Sequence, residues 1–189
     1  MAEVLDPQSA ILTALYMRNE DDLAALLAPD PELSIFEAAA LGRDDRVRDL
    51  LDRDPTLINA CSADGNTPLG LAAFFAPAST VRLFLSRGAD VTVGARNYMK
   101  VQPLHAAIAA RNAEAVALLL ERGADPNARQ QVGYTPLMGA ASSGKRGLVD
   151  LLLEAGADKS LRADDGKTAA DVARAHGHND LASDLDTGS

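Results

Sequence analysis

Thr135-Pro136-Leu137-Met138-Gly139-Ala140-Ala141-Ser142-Ser143-Gly144-Lys145, continued by Arg146-Gly147-Leu148-Val149-Asp150-Leu151-Leu152-Leu153-Glu154-Ala155-Gly156-Ala157-Asp158, spells out one structural unit. Thr135 can cap a helix by accepting an amide hydrogen bond. Pro136 at the first helical position loses nothing, because that amide is unpaired anyway. Ala140 and Ala141 are small enough for a second helix to lie close. Ser142-Ser143-Gly144-Lys145 reads as the turn between them. The second helix carries Val149, Leu152 and Leu153 at i, i+3 and i+4, a one-sided apolar stripe. Gly156 then ends it in the left-handed conformation. An extended, turn-rich stretch follows, with Asp164-Asp165-Gly166-Lys167 at its tip.

Working outward, the unit recurs. Gly88-Ala89-Asp90, Gly123-Ala124-Asp125 and Gly156-Ala157-Asp158 are spaced by 35 and 33 residues. Thr67-Pro68-Leu69, Gln102-Pro103-Leu104, Thr135-Pro136-Leu137 and the eroded Thr168-Ala169-Ala170 are spaced by 35, 33 and 33. Leu83-Phe84-Leu85, Leu118-Leu119-Leu120 and Leu151-Leu152-Leu153 precede the glycines. A period near 33 is too short for an independent domain. It suits a supersecondary unit that buries its apolar face by stacking on its neighbours.

The order Thr-Pro-Leu-x-x-Ala-Ala, Leu-Leu-Leu-x-x-Gly-Ala-Asp, then Asn127, resembles the ankyrin repeat family. The resemblance implies an all-α solenoid of about six antiparallel helix pairs joined by β-hairpin-like fingers. The expected layout is a single array over 1–189, with three clear repeats at 62–161. An irregular repeat at 34–61 aligns through Phe36 to Gly42, Val47, Leu50 and Leu51, with Asp54-Pro55 in place of the glycine cap. Residues 8–28 read as an N-terminal cap pair, because only about 23 residues separate it from the next unit. Residues 162–185 read as a C-terminal cap, since Asp171, Arg174, Asp180 and Asp184 stand where an internal repeat is apolar. One finger departs from the pattern: 94–101 gains two residues, and Lys100 and Gln102 replace the turn glycine and the capping threonine. It reads as loop drift or as a binding loop that presents Tyr98 and Met99.

Composition limits the functions open to this fold. The 189 residues are 47% hydrophobic and 24% charged, with formal charge −9. Such an acidic chain is a poor partner for nucleic acid or an anionic membrane. No apolar run approaches a spanning helix. The start, Met1 to Asp6, has neither a basic run nor an apolar core, so no secretory signal is expected. One cysteine, Cys61, excludes an internal disulfide framework and fits a cytoplasmic setting. Residues 1–60 hold 13 acidic and 5 basic residues. That reads as the solvated face of an end unit, with steering toward a basic partner as the alternative.

Motifs for catalysis fall short. Gly139 to Lys145 nearly matches a phosphate-binding loop, but Arg146 stands where a hydroxyl is needed and no strand leads in. His105 occupies the Thr-Pro-Leu-His position, where the resemblance implies a structural hydrogen-bond network between repeats. His178 follows the turn glycine Gly177, and His176 faces the groove. None has the companions of a zinc site. Asp44-Asp45 and Asp164-Asp165 fall in turns, without the burial that tunes a catalytic acid. The expectation is therefore no catalysis, no cofactor and no metal.

In arrays of this family the fingertips and the exposed end of each first helix line a concave groove. By that resemblance the groove residues are Phe74, Phe75, Tyr98, Met99, Val101, Val132, Tyr134, Ser142, Ser143, Asp165, Lys167 and His176. Four of the seven aromatics are among them, and aromatic anchors are enriched at protein interfaces. One of Phe74 and Phe75 is expected to pack in the core and the other to be exposed. Tyr134 is expected to point into the groove and to contribute little to folding. The expected function is binding another protein through this groove, by a chain that is monomeric when unbound. A regulatory or inhibitory subunit of an enzyme, or a small-ligand or nucleotide binder, is the alternative.

Overall fold

The structure, a computed structural model, describes residues 9–187. The start read above for a secretory signal, and residue 8 of the cap pair, lie outside them. Twelve α-helices occur among the described residues: α1 (Ala10–Met17), α2 (Glu20–Leu27), α3 (Ile35–Ala40), α4 (Asp44–Arg53), α5 (Pro68–Phe75), α6 (Ala78–Ser86), α7 (Pro103–Ala109), α8 (Ala113–Glu121), α9 (Pro136–Ser142), α10 (Arg146–Glu154), α11 (Ala169–Ala175) and α12 (Asn179–Thr187). Odd and even helices pair in sequence. The inner helices α3, α5, α7, α9 and α11 stack in one layer, and the outer helices α6, α8 and α10 in a second.

The caps follow from the sequence. Thr67, Thr135 and Thr168 each accept an amide hydrogen bond, from Gly70, Met138 and Asp171. Gln102 makes no side-chain cap, and α7 begins on Pro103 alone. Ala72, Ala73, Ala107, Ala140 and Ala141 are fully buried, so the two layers meet closely across small side chains. In α10 the buried stripe is Leu148, Val149 and Leu152. Leu153 is 37% exposed, which corrects the expected stripe: Leu148 takes its place on the buried face. A 3₁₀ turn over Pro55–Asn59 follows α4, where Pro55 prevents the helix from continuing.

The fingers contain no regular strand among the described residues. A backbone bond closes the base of each: Ser62 donates to Asn66 at 2.9 Å, Ala95 to Val101 at 2.8 Å, Gln130 to Tyr134 at 3.0 Å and Ala163 to Lys167 at 2.9 Å. Single backbone-to-backbone bonds tie successive fingers together. Arg96 donates to Gly65 at 2.8 Å, Gln131 to Met99 at 3.1 Å and Asp164 to Val132 at 2.9 Å. Gly65 serves this contact twice over. Its φ is +84°, and a Cβ there would lie 3.0 Å from the backbone of Arg96.

The first helix pair is joined unevenly. Leu12 of α1 packs with Ala40 of α3 and Leu71 of α5, and Leu15 and Phe75 close the same cluster. The run Ala38-Ala39-Ala40 makes α3 thin enough for α1 to reach past it to α5. Ser9 adds a 2.6 Å hydrogen bond to Glu37. In contrast, α2 buries none of its residues.

Candidate binding groove

The fingers and the inner helices meet along one face, and its N-terminal half is apolar. Tyr16, Phe74, Met99 and Val101 line a cleft of about 260 Å³, together with Asn66 and Asn97. Tyr16, at the end of α1, meets the edge of Phe75 at 4.8 Å and lies 6.3 Å from Phe74. Phe74 and Phe75 sit edge to face at 4.7 Å. Phe75 is half-buried against α1, while Phe74 is 37% exposed. Burial, with the charge of Asp64 nearby, pushes the Tyr16 phenol above its ordinary pKa. Tyr16 was not legible as a groove residue. Its helix read as an end cap, and the signal was its place in the Leu12, Leu15, Tyr16 stripe.

The middle of the face is built by the fingertips. Tyr98 is 73% exposed and Val132 is 58% exposed. Val132 also has φ +54°, a conformation costly for a β-branched residue. Lys100, where other fingers have glycine, is likewise left-handed at φ +51°. Met99 lies in the cleft, and Val101 is half-buried against the core.

Tyr134 corrects the sequence reading. It is half-buried against the core, and its hydroxyl donates to the Met138 carbonyl at 3.4 Å. Burial is the main cause of its raised pKa, with Ser142, Asp165 and Lys167 as neighbours. One face of the ring therefore packs, and only the remainder faces the groove.

The C-terminal half is polar. Ser142 and Ser143 turn their hydroxyls onto the carbonyls of Gly139 and Ala140, which leaves oxygen lone pairs to accept. Lys167 pairs with Asp165 at 2.6 Å, which holds the Asp165 carboxyl below its ordinary range. His176 is exposed and sets Nδ1 2.9 Å from its own helix's Val172 carbonyl. Residues 139–145 form the end of α9 and its turn, a helical geometry unlike a strand-to-helix phosphate loop.

His105 lies beneath this face and is 6% exposed. Neither ring nitrogen makes a well-aligned hydrogen bond, although the Ala128 and Tyr134 backbone lies alongside, so the implied network is reduced to weak polar contacts. Burial lowers its pKa to about 4, although the Ala128 and Tyr134 backbone and Asp125 alongside favour the proton. The imidazole thus serves as neutral packing between one repeat and the next finger.

The repeats, caps and fingers described above are those of a known class. Residues 35–130 match ankyrin repeats (3 copies), and residues 132–164 match a further ankyrin repeat. The chain belongs to the ankyrin repeat family. It is 32% identical over 141 residues to ankyrin repeat and SAM domain-containing protein 6 of Rattus norvegicus, and 32% identical over 139 residues to that of Mus musculus. Each match covers 71% of this chain and 14% of the relative. The chain thus spans a small part of the curated relatives it matches. Ankyrin repeats generally mediate protein–protein interaction, and proteins built of them are typically non-catalytic. No helix among the described residues is long and apolar enough to cross a membrane.

Proposed function

We propose that this chain is a non-catalytic module that binds another protein through the concave groove, anchored by its apolar N-terminal half. One observation carries the reading. The large hydrophobic side chains exposed among the described residues are Tyr16, Met17, Phe74, Tyr98, Met99, Val132 and Leu153. Five of them, all but Met17 and Leu153, stand on the fingers or on the cleft between fingers and inner helices. Apolar surface gathered on one face marks an interaction site. The strained backbone of Val132 points the same way, because strain persists where function uses it.

In this reading 1–189 is a single array, with end pairs at 8–28 and 162–185 around the repeats at 34–61 and 62–161. It takes neither nucleic acid nor cofactor, acts in the cytoplasm, and is monomeric until bound. The test is capture of a partner by the intact chain, repeated with Phe74→Asp and with Met99→Asp. Each substitution should reduce capture at least about tenfold, as loss of an anchor does. Glu121→Lys and Glu154→Lys on the outer helices should leave it unchanged. Capture that survives both groove substitutions and fails with an outer-helix one would overturn the proposal.

A further inference from the structure

Free charge is distributed unevenly over the molecule. Most cations of the outer helices are consumed by ion pairs: Arg46, Arg48 and Arg53 on α4, Arg82 on α6 and Arg146 on α10 each meet a carboxylate. Nine other cations form no ion pair among the described residues, and four of these stand on the long finger and on the turns that end α7 and α9. Arg96 and Lys100 on the long finger, Arg111 after α7 and Lys145 after α9 are exposed, and none forms an ion pair among the described residues. Acids show the reverse. Glu20, Asp21, Glu121, Asp150, Glu154 and Asp180 stand exposed and unpaired on outer helices. Toward the groove, Asp164 and Asp165 are matched by Arg129 and Lys167. Asp64 is hydrogen-bonded within its own finger to Ser62 and Asn66.

Topology places these four cations on two rims. An inner helix starts at a finger and ends at the turn to its outer partner. Arg96 and Lys100 are therefore on the finger rim, and Arg111 and Lys145 on the opposite one. Between them α7 runs for 7 residues, about 10 Å of helix. That width admits one peptide segment.

Resting on the groove reading above, we infer that the partner offers an acidic segment: an apolar side chain enters the cleft beside Met99, and its flanking carboxylates meet Arg96, Lys100, Arg111 and Lys145. The net charge of −9 concealed this, because many of the free acids stand on the outer helices, away from these four cations. Nucleic acid brings negative charge but no apolar side chain for the cleft, and the acidic outer face repels it.

Selection of a randomised display library of peptides on the intact chain tests the inference. The selected peptides should carry net negative charge around one Leu, Ile, Phe or Tyr. A fluorescein-labelled member should lose about tenfold in affinity when added salt shortens the Debye length from about 30 Å to about 8 Å. Arg96→Glu with Lys100→Glu should cost about tenfold, and Lys145→Glu on the other rim should weaken binding independently. Arg48→Glu on α4 should change nothing. Uncharged or basic peptides that still depend on Met99 would overturn the acidic segment and leave the groove reading standing. Acidic peptides indifferent to Met99→Asp and to both rim reversals would overturn both. A single-stranded oligodeoxynucleotide that displaces the peptide at equal concentration would overturn the assignment to a protein partner.

Discussion

His105 shows what one side chain does to the whole domain. Folding depresses its pKa from an ordinary 6.5 to about 4. Between those values the unfolded chain binds the proton and the native chain does not, so stability is present above 6.5 and is lost as pH falls toward 4. The shift corresponds to about 3 kcal/mol at full effect. Denaturant midpoints measured from pH 7 to pH 4 should fall accordingly, and His105→Gln should flatten that slope. Asp90 and Asp158 have their carboxyls held below 3.8 by Thr92 and Ser160. They act in the same direction only below that window, so an equal slope in His105→Gln would disprove the assignment. Leu152 and Tyr134 separate core from groove. Leu152 is fully buried, and Leu152→Ala should cost about 2–5 kcal/mol through the cavity. Tyr134→Ala should cost about 1–2 kcal/mol, because only part of the ring is buried. Tyr98→Ala should cost under about 0.5 kcal/mol. A Tyr134 cost equal to that of Leu152 would make the ring packing and nothing more.

At the scale of elements, the repeat could be read because its signals are local. The caps Thr67 and Thr135, the prolines after them and the closing glycines act through bonds within a few residues. Their helices therefore begin and end where the spacing puts them. The N-terminal pair could not be read fully. That α1 reaches Leu71 and Phe75 depends on how thin α3 is, which is a tertiary fact carried by three alanines. The exposure of Leu153 likewise depends on where α8 presses on α10. The unburied helix α2 should open first. Amide hydrogen exchange should be faster in α2 than in any of α5 to α10, since protection tracks burial. Slow exchange in α2 would mean that something covers it. The finger 94–101 should be the first internal site cut by trypsin, at Arg96 or Lys100, because it is longer than its neighbours and both residues are exposed. Earlier cleavage within 129–135 would contradict that.

For the whole molecule, the layered array makes two faces of different chemistry. The outer layer holds paired charges and free acids. The inner face gathers exposed apolar side chains around one cleft, with four of the free cations on its two rims. The exposure of Phe74, Tyr98, Met99 and Val132 was legible from the family register. Tyr16 and the uneven distribution of free charge were not, because both require knowing which elements face each other. A peptide selected on the chain, titrated into the ¹⁵N-labelled protein, tests the claim that this face is the binding surface. The account predicts that amide shifts concentrate on the fingers 94–101 and 129–134 and on α5 and α7. Shifts concentrated on α4, α6, α8 and α10 would contradict it.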